Sequence, residues 1–224
     1  PFPQYVYEGY GTSLQRVTTS TYDYWSSLPT AVTDYNGLTR SFTYDYLGRQ
    51  TQLKESDSSG LLRETSTFYN DRNRRVIGEA DLAAPGDQAL VSVTDYDQLG
   101  RTRLTRQLET ASQSADNDGD GIKVQTRYSA GQLGVAGTNY QLVSNPYRKA
   151  TSGAETSASM GWTLTTNKND WGERSITTSS FAGAGQPAPF GANGTTTGSS
   201  KTKYSINASP LGLASTITDQ GNKS

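Results

Sequence analysis

The sequence predicts an all-β protein made of consecutive antiparallel β-hairpins. Three observations carry that prediction. Tyr dominates the large side chains, with 14 Tyr against 5 Phe and 3 Trp, and Thr is abundant beside it. A ring with a polar tip and a β-branched hydroxyl side chain both suit a pleated, half-buried surface. Ala and Leu recur at helical spacing over no long window. A six-residue turn signal, Tyr-Asp-x-Leu-Gly-Arg, occurs twice in nearly the same form, at residues 44–49 and 96–101.

Taken in order, the elements are these. The opening Pro1-Phe2-Pro3 is neither a signal peptide nor a natural start, so a piece of a longer protein is expected. Tyr22-Asp23 begins a partial copy of the turn signal. A Thr-rich strand then runs through Arg40-Ser41-Phe42-Thr43 into Tyr44. Asp45 starts a turn, because its carboxylate can accept bonds from nearby backbone N–H groups. Gly48 completes it, being free to take a positive φ. Arg49 opens the returning strand through Thr51, Gln52 and Leu53, with the Asp of its own turn as a candidate partner. Tyr69-Asn70-Asp71-Arg72-Asn73-Arg74 is a degenerate copy. Tyr96, Asp97, Gly100 and Arg101 repeat the full one and lead into Thr102-Arg103-Leu104. Tyrosines at 22, 44, 69 and 96 therefore mark a period that fits a two-strand unit.

Bulk properties exclude several functions. The net charge is −1, from 20 basic and 21 acidic residues in mixed order. No basic face is implied, so nucleic acid is not an expected partner. There is no Cys for disulfides or thiolate metal sites, and no His to act as base or ligand. No apolar run reaches the length that crosses a bilayer, so no membrane insertion is expected. Carboxylates would be the natural catalytic groups, as in a two-carboxylate glycosidase. Each prominent Asp has a turn or cation-binding explanation instead, so no catalytic residue and no enzyme activity are expected. The hydrophobic share is only 32%, too low for a rich core.

The Y-D-x-x-G-R pattern of Tyr44, Asp45, Gly48, Arg49 and Tyr96, Asp97, Gly100, Arg101, with Tyr69 between them, resembles the RHS/YD-repeat family. That family includes bacterial Rhs proteins, the BC cocoon of insecticidal Tc toxins, and the teneurins. The resemblance covers about residues 15–110. It implies a long curved sheet of hairpins paired side by side, a YD-repeat shell or part of one. It implies a bacterial protein, secreted or on the cell surface, whose shell encloses or presents another polypeptide such as a toxin. The immediate partners would be neighbouring repeats of the same longer polypeptide, and the repeat residues would be structural. The family's self-cleaving segment is Asp- and Pro-rich. No Asp-Pro pair occurs here, so neither self-cleavage nor the toxin is expected in this segment. The alternative is a cell-surface carbohydrate-binding or adhesive module. Trp25, Trp162 and Trp171 are its sugar-stacking candidates, against the more usual fate of Trp, packing on a sheet face.

The organisation that follows is residues 1–110 as YD hairpins, 111–127 as an acidic loop insertion, and 128–224 as degenerate repeats with long loops. The insertion contains Asp116-Asn117-Asp118-Gly119-Asp120-Gly121-Ile122. Asp116, Asp118 and Asp120 stand at the alternating positions of a calcium loop, Gly121 at its sharp turn and Ile122 where a backbone carbonyl would ligate. Position twelve is Arg127 where such loops carry Glu. A structural calcium ion is one reading; a solvated acidic hairpin loop is the other. Beyond it, Tyr128, residues 169–174 and residues 204–212 are decayed copies. Residues 150–160 and 182–200, rich in Gly, Ser, Thr and Pro, read as loops, and residues 162–165 and 213–217 as strands.

Overall fold

The computed structural model describes residues 2–130, 137–149, 159–170, 173–208 and 211–218. Every regular element among the described residues is a strand, so the fold is all-β. The strands are β1 (Tyr5–Glu8), β2 (Arg16–Tyr22), β3 (Pro29–Thr33), β4 (Thr39–Tyr44), β5 (Gln50–Asp57), β6 (Gly60–Asn70), β7 (Arg75–Ala80) and β8 (Leu90–Tyr96), followed by β9 (Thr102–Gln107), β10 (Ile122–Ala130), β11 (Thr138–Ser144), β12 (Trp162–Asp170), β13 (Glu173–Ala182), β14 (Thr195–Ala208) and β15 (Leu211–Thr218). The chain forms two compact units: Pro1–Asp95 with Gln107–Asp116, and Tyr96–Arg106 with Asn117–Ser224.

In the first unit β1 to β8 pair antiparallel in sequential order, each with the next up to β8. This is the expected run of consecutive hairpins. Polar residues dominate the protected positions. Ser20, Glu64, Ser66, Arg75 and Asp95 are buried there, against the apolar Val93 and Leu108. The registers explain how polar groups survive burial. Lys54 faces Glu64 and Gln52 faces Ser66 across β5 and β6, and Gln52 donates to Glu64 at 2.6 Å. Directly opposed, complementary side chains are the unit of sheet stabilisation. Here they take much of the role that an aliphatic core plays elsewhere.

Two tyrosines that precede turns sit where the ladder slips. Register shifts fall between Thr21 and Tyr22 and between Thr43 and Tyr44. A bulge of this kind re-aims a side chain and increases local twist.

The second unit keeps the same sequential order, with β10 through β15 antiparallel. It has an apolar centre that the first lacks. Leu142, Tyr147, Met160, Trp162, Leu164 and Phe181 are buried together, with Tyr140 and Phe190 packed against them. Residues 183–194, between β13 and β14, form a loop as expected. Residues 195–200 do not: β14 already begins at Thr195. The β-branched Thr195 and Thr196 pair with Ala182 and Phe181, and Ser199 and Ser200 with Ser179 and Thr178. Small polar residues on both strands pack without penalty, so a composition that reads as loop is satisfied as strand. The segment after the acidic motif is likewise strand, with β10 starting at Ile122.

Candidate functional site

Three turns share one hydrogen-bond pattern. In the first full copy, the Asp45 N–H donates to the Arg49 carbonyl at 2.9 Å and the Gly48 N–H to the Asp45 carbonyl at 3.0 Å. Asp45 Oδ1 accepts the N–H groups of Leu47 and Arg49, both at 2.9 Å. Asp97 repeats this with Gly100, Leu99 and Arg101. Gly48 and Gly100 hold φ of +77° and +75°, the left-handed position that closes a three-residue hairpin loop. The third turn was not singled out in the sequence. Asp34 accepts from Asn36 and Leu38, and Gly37 has φ +83°. Its signal was the same Asp-x-x-Gly spacing without the Tyr and the Arg. Asp23 caps a fourth turn through the N–H groups of Trp25 and Ser26.

The Arg of each full copy is held by its own Asp. Arg49 Nε lies 2.7 Å from Asp45 Oδ2, and Arg101 Nη2 lies 2.7 Å from Asp97 Oδ2. Each Arg then reaches onward along the sheet. Arg49 donates to both carboxylate oxygens of Asp71, at 2.6 and 2.9 Å, and stacks over the Tyr69 ring at 4.1 Å. Arg101 stacks over the Tyr128 ring at 4.3 Å. A planar guanidinium suits this work, because it can fork to a carboxylate and lie flat on a ring at once. The Tyr hydroxyls reach backward. Tyr44 Oη donates to the Pro29 carbonyl at 2.9 Å, and Tyr69 Oη to the Gln50 carbonyl at 3.2 Å. Pro29 is the cross-strand partner of Tyr22, and Gln50 that of Tyr44. Each Tyr therefore bonds the residue paired with the previous Tyr.

Titration follows from these contacts. Asp71 lies below its ordinary range, chiefly because of the hydrogen bonds from Arg49. Asp97 is lowered first by the Arg101 backbone N–H and then, against some desolvation, by the Arg101 side chain. At Asp45 desolvation pushes upward and is outweighed by the bonds from Arg49 and Leu47. Arg49 is raised, first by Asp71 and then by Asp45.

The carboxylates of the acidic motif meet cations of the chain itself. Asp116 lies 3.2 Å from Arg75. Asp118 lies 3.5 Å from Arg103 and 3.7 Å from Arg106. Asp120 accepts from the Asn117 amide at 2.8 Å. Lys123 Nζ donates to the Gly119 carbonyl at 2.6 Å and the Asp118 carbonyl at 3.2 Å. Desolvation, then Lys149 and Arg106, lower the Lys123 pKa. Ile122 enters β10 as its first residue. Among the described residues no group of three or more carboxylates converges as a metal site would require.

Nothing local in the sequence marks the buried Arg75–Asp95 ion pair. Arg75 Nε and Asp95 Oδ1 are 2.6 Å apart with side chains 9% and 3% exposed. They face each other across β7 and β8, and Arg75 also donates to the Ala115 carbonyl at 2.7 Å. The wholly buried Arg106 side chain donates to the Asn117 carbonyl at 2.6 Å. The three tryptophans part company. Trp162 is buried in the core and donates to the Ala184 carbonyl at 3.2 Å. Trp25 is 89% exposed, edge-on to Tyr24. Trp171 lies outside the described residues.

No family model and no curated protein matches this chain.

Proposed function

We propose that this chain is a non-catalytic structural segment of a secreted or surface RHS-type repeat protein, a stretch of shell wall that encloses or presents another polypeptide. The observation that carries the reading is the tie between successive turns: Arg49 fixes its own Asp45 and the next turn's Asp71 together. Such a tie serves a sheet that lengthens by repetition. It holds hairpin to hairpin through side chains at the turns, where a polar sheet has few apolar contacts to do so. The repeated Tyr-to-carbonyl bonds act in the same direction. The polar buried set of the first unit supports it further, since a single-layer wall wetted on both faces needs cross-strand polar pairs more than an apolar core. The repeated Asp, Gly and Arg of both full copies are engaged in turn closure and cross-strand contacts, which fits architecture better than chemistry.

Electron microscopy of the full-length gene product tests this. A hollow particle with density inside, whose enclosed segment resists protease until the wall is opened, is the expected result. An extended or solid particle with a freely cleaved neighbouring domain overturns the proposal.

A further inference from the structure

The second unit contains a cavity of about 420 Å³ whose walls include Asp97, Arg101, Arg103, Arg127, Tyr128 and Phe190. That volume falls in the range of small-ligand sites. Three guanidinium groups face one carboxylate, so the lining carries a surplus of positive charge. The surplus is not spread evenly. Arg101 is engaged by Asp97 at 2.7 Å. Arg103 meets Asp118 only at 3.5 Å, with its side chain 53% exposed. Arg127 donates to the neutral Gln186 amide oxygen at 2.9 Å, a contact that orients the fork and leaves its charge uncancelled.

The site is built from separate parts of the unit. Arg103 projects from β9, and Arg127 and Tyr128 from β10. Phe190 comes from the loop between β13 and β14, where the Phe190 N–H bonds the Pro187 carbonyl at 2.9 Å and the Asn193 N–H bonds the Gln186 carbonyl at 3.1 Å. Gly185 is required in that loop, because a Cβ there would overlap the Asn193 carbonyl. The loop thus delivers both the amide that aims Arg127 and a second aromatic wall.

We propose that this cavity binds an anionic saccharide, a short chain of uronic acid residues. Guanidinium forks match planar carboxylates. The Phe190 ring offers apolar surface for a pyranose face, while the Tyr128 ring is stacked under Arg101 and holds that guanidinium at the wall. Thr126, Gln125 and Asp97, also on the wall, offer the mixed donors and acceptors that sugar hydroxyls need and that a bare phosphate would not use. The inference is independent of the shell reading, since a wall segment and a free module would present the same cavity.

Calorimetric titration of the whole chain with tetragalacturonic acid tests it, beside neutral galactotetraose and tetraglutamate peptide. Tetragalacturonic acid binds; the neutral sugar and the peptide bind at least tenfold more weakly. Arg127→Lys, which keeps charge and loses the fork, weakens binding at least threefold. Arg103→Ala with Arg127→Ala weakens it at least tenfold. Phe190→Leu, which keeps apolar packing and loses the ring, weakens the saccharide several-fold. Circular dichroism confirms that each variant folds. Equal binding of the peptide with no effect of Phe190→Leu reduces the site to a charge patch and overturns the saccharide assignment. Absence of binding, or binding that the double Arg variant leaves intact, overturns the site itself.

Discussion

Arg49 and Asp71 lie 22 positions apart in the chain and meet through two N–H···O bonds of 2.6 and 2.9 Å. The same guanidinium holds Asp45, so one side chain joins two turns on successive hairpins. Arg49→Ala and Asp71→Ala should each destabilise the chain, and the double variant should lose less than the two losses added. Arg49→Lys should behave nearly like Arg49→Ala, because an ammonium cannot fork to two carboxylates while lying on the Tyr69 ring. Both groups are partly solvated, so the effect is smaller than that of a buried pair. Urea denaturation of the four members of the cycle reads the coupling. Strict additivity would show that the two turns do not communicate through this pair.

Arg75 and Asp95 present the opposite case, a directly opposed pair almost out of water. Removing one partner leaves a charge stranded, which costs about 3–5 kcal/mol. Arg75→Met and Asp95→Ala are expected in that range by chemical denaturation. Arg75→Met combined with Asp95→Leu should recover most of the loss, because neither charge then remains to be solvated. A double variant as unstable as the two single ones together would show that the pair's bonds to Ala115 and Asp116, and not its burial, dominate.

These two pairs mark what the sequence could reveal. The turn at Asp45 was legible because its parts are local: a cap, a left-handed glycine and an Arg within five positions. Its tie to Asp71 was not, since the degenerate copy there keeps an Asp shifted by one place from the Tyr-Asp pattern. The turn at Asp34 carries the same Asp-x-x-Gly grammar but lacks the preceding Tyr and the following Arg that make the other two copies stand out. Arg75 with Asp95 could not be found, because nothing local marks which strand charges will face one another before the register is known. The acidic motif was legible as an accumulation of charge. That Arg75, Arg103 and Arg106 would supply cations to its carboxylates depended on strand placement that nothing in the motif marks.

Acid should loosen the loop of residues 81–89 before the rest of its unit. Asp87 accepts the N–H groups of Leu82, Ala83, Ala84 and Ala89, and chiefly the first of these bonds lowers its pKa to about 2. Asp81 is lowered as well, first by the Gly86 N–H. A folded pKa below the unfolded value means that the ionised form stabilises the loop. That contribution is complete above the ordinary carboxylate value of 3.8 and is lost as pH falls through about 2. Hydrogen exchange at the Leu82, Ala83 and Ala84 amides should therefore accelerate over that window, beyond the intrinsic pH trend. Asp87→Asn should exchange faster at neutral pH and show little further change on acidification. Unchanged protection down to pH 2 in the parent chain rules out the carboxylate as the loop's anchor.

One apolar cluster forms the centre of the second unit among its described residues, and Trp162 tests what it contributes. Its ring is 1% exposed among Leu142, Tyr147, Met160, Leu164 and Phe181. Its indole N–H is bonded to the Ala184 carbonyl, so truncation removes packing, leaves a cavity and orphans an acceptor. Trp162→Ala should cost about 3–5 kcal/mol, and Trp162→Phe distinctly less, since it keeps a ring while losing the bond. Trp25 is the internal control. It stands 89% exposed on a turn, where replacement by Ala should stay within about 0.5 kcal/mol. Fluorescence separates the two: Trp162→Ala lowers the blue-shifted emission and Trp25→Ala the emission that acrylamide quenches readily. A Trp25→Ala loss as large as that of Trp162→Ala would mean that the exposed pair of Tyr24 and Trp25 is covered in solution, and that the turn edge is a contact surface.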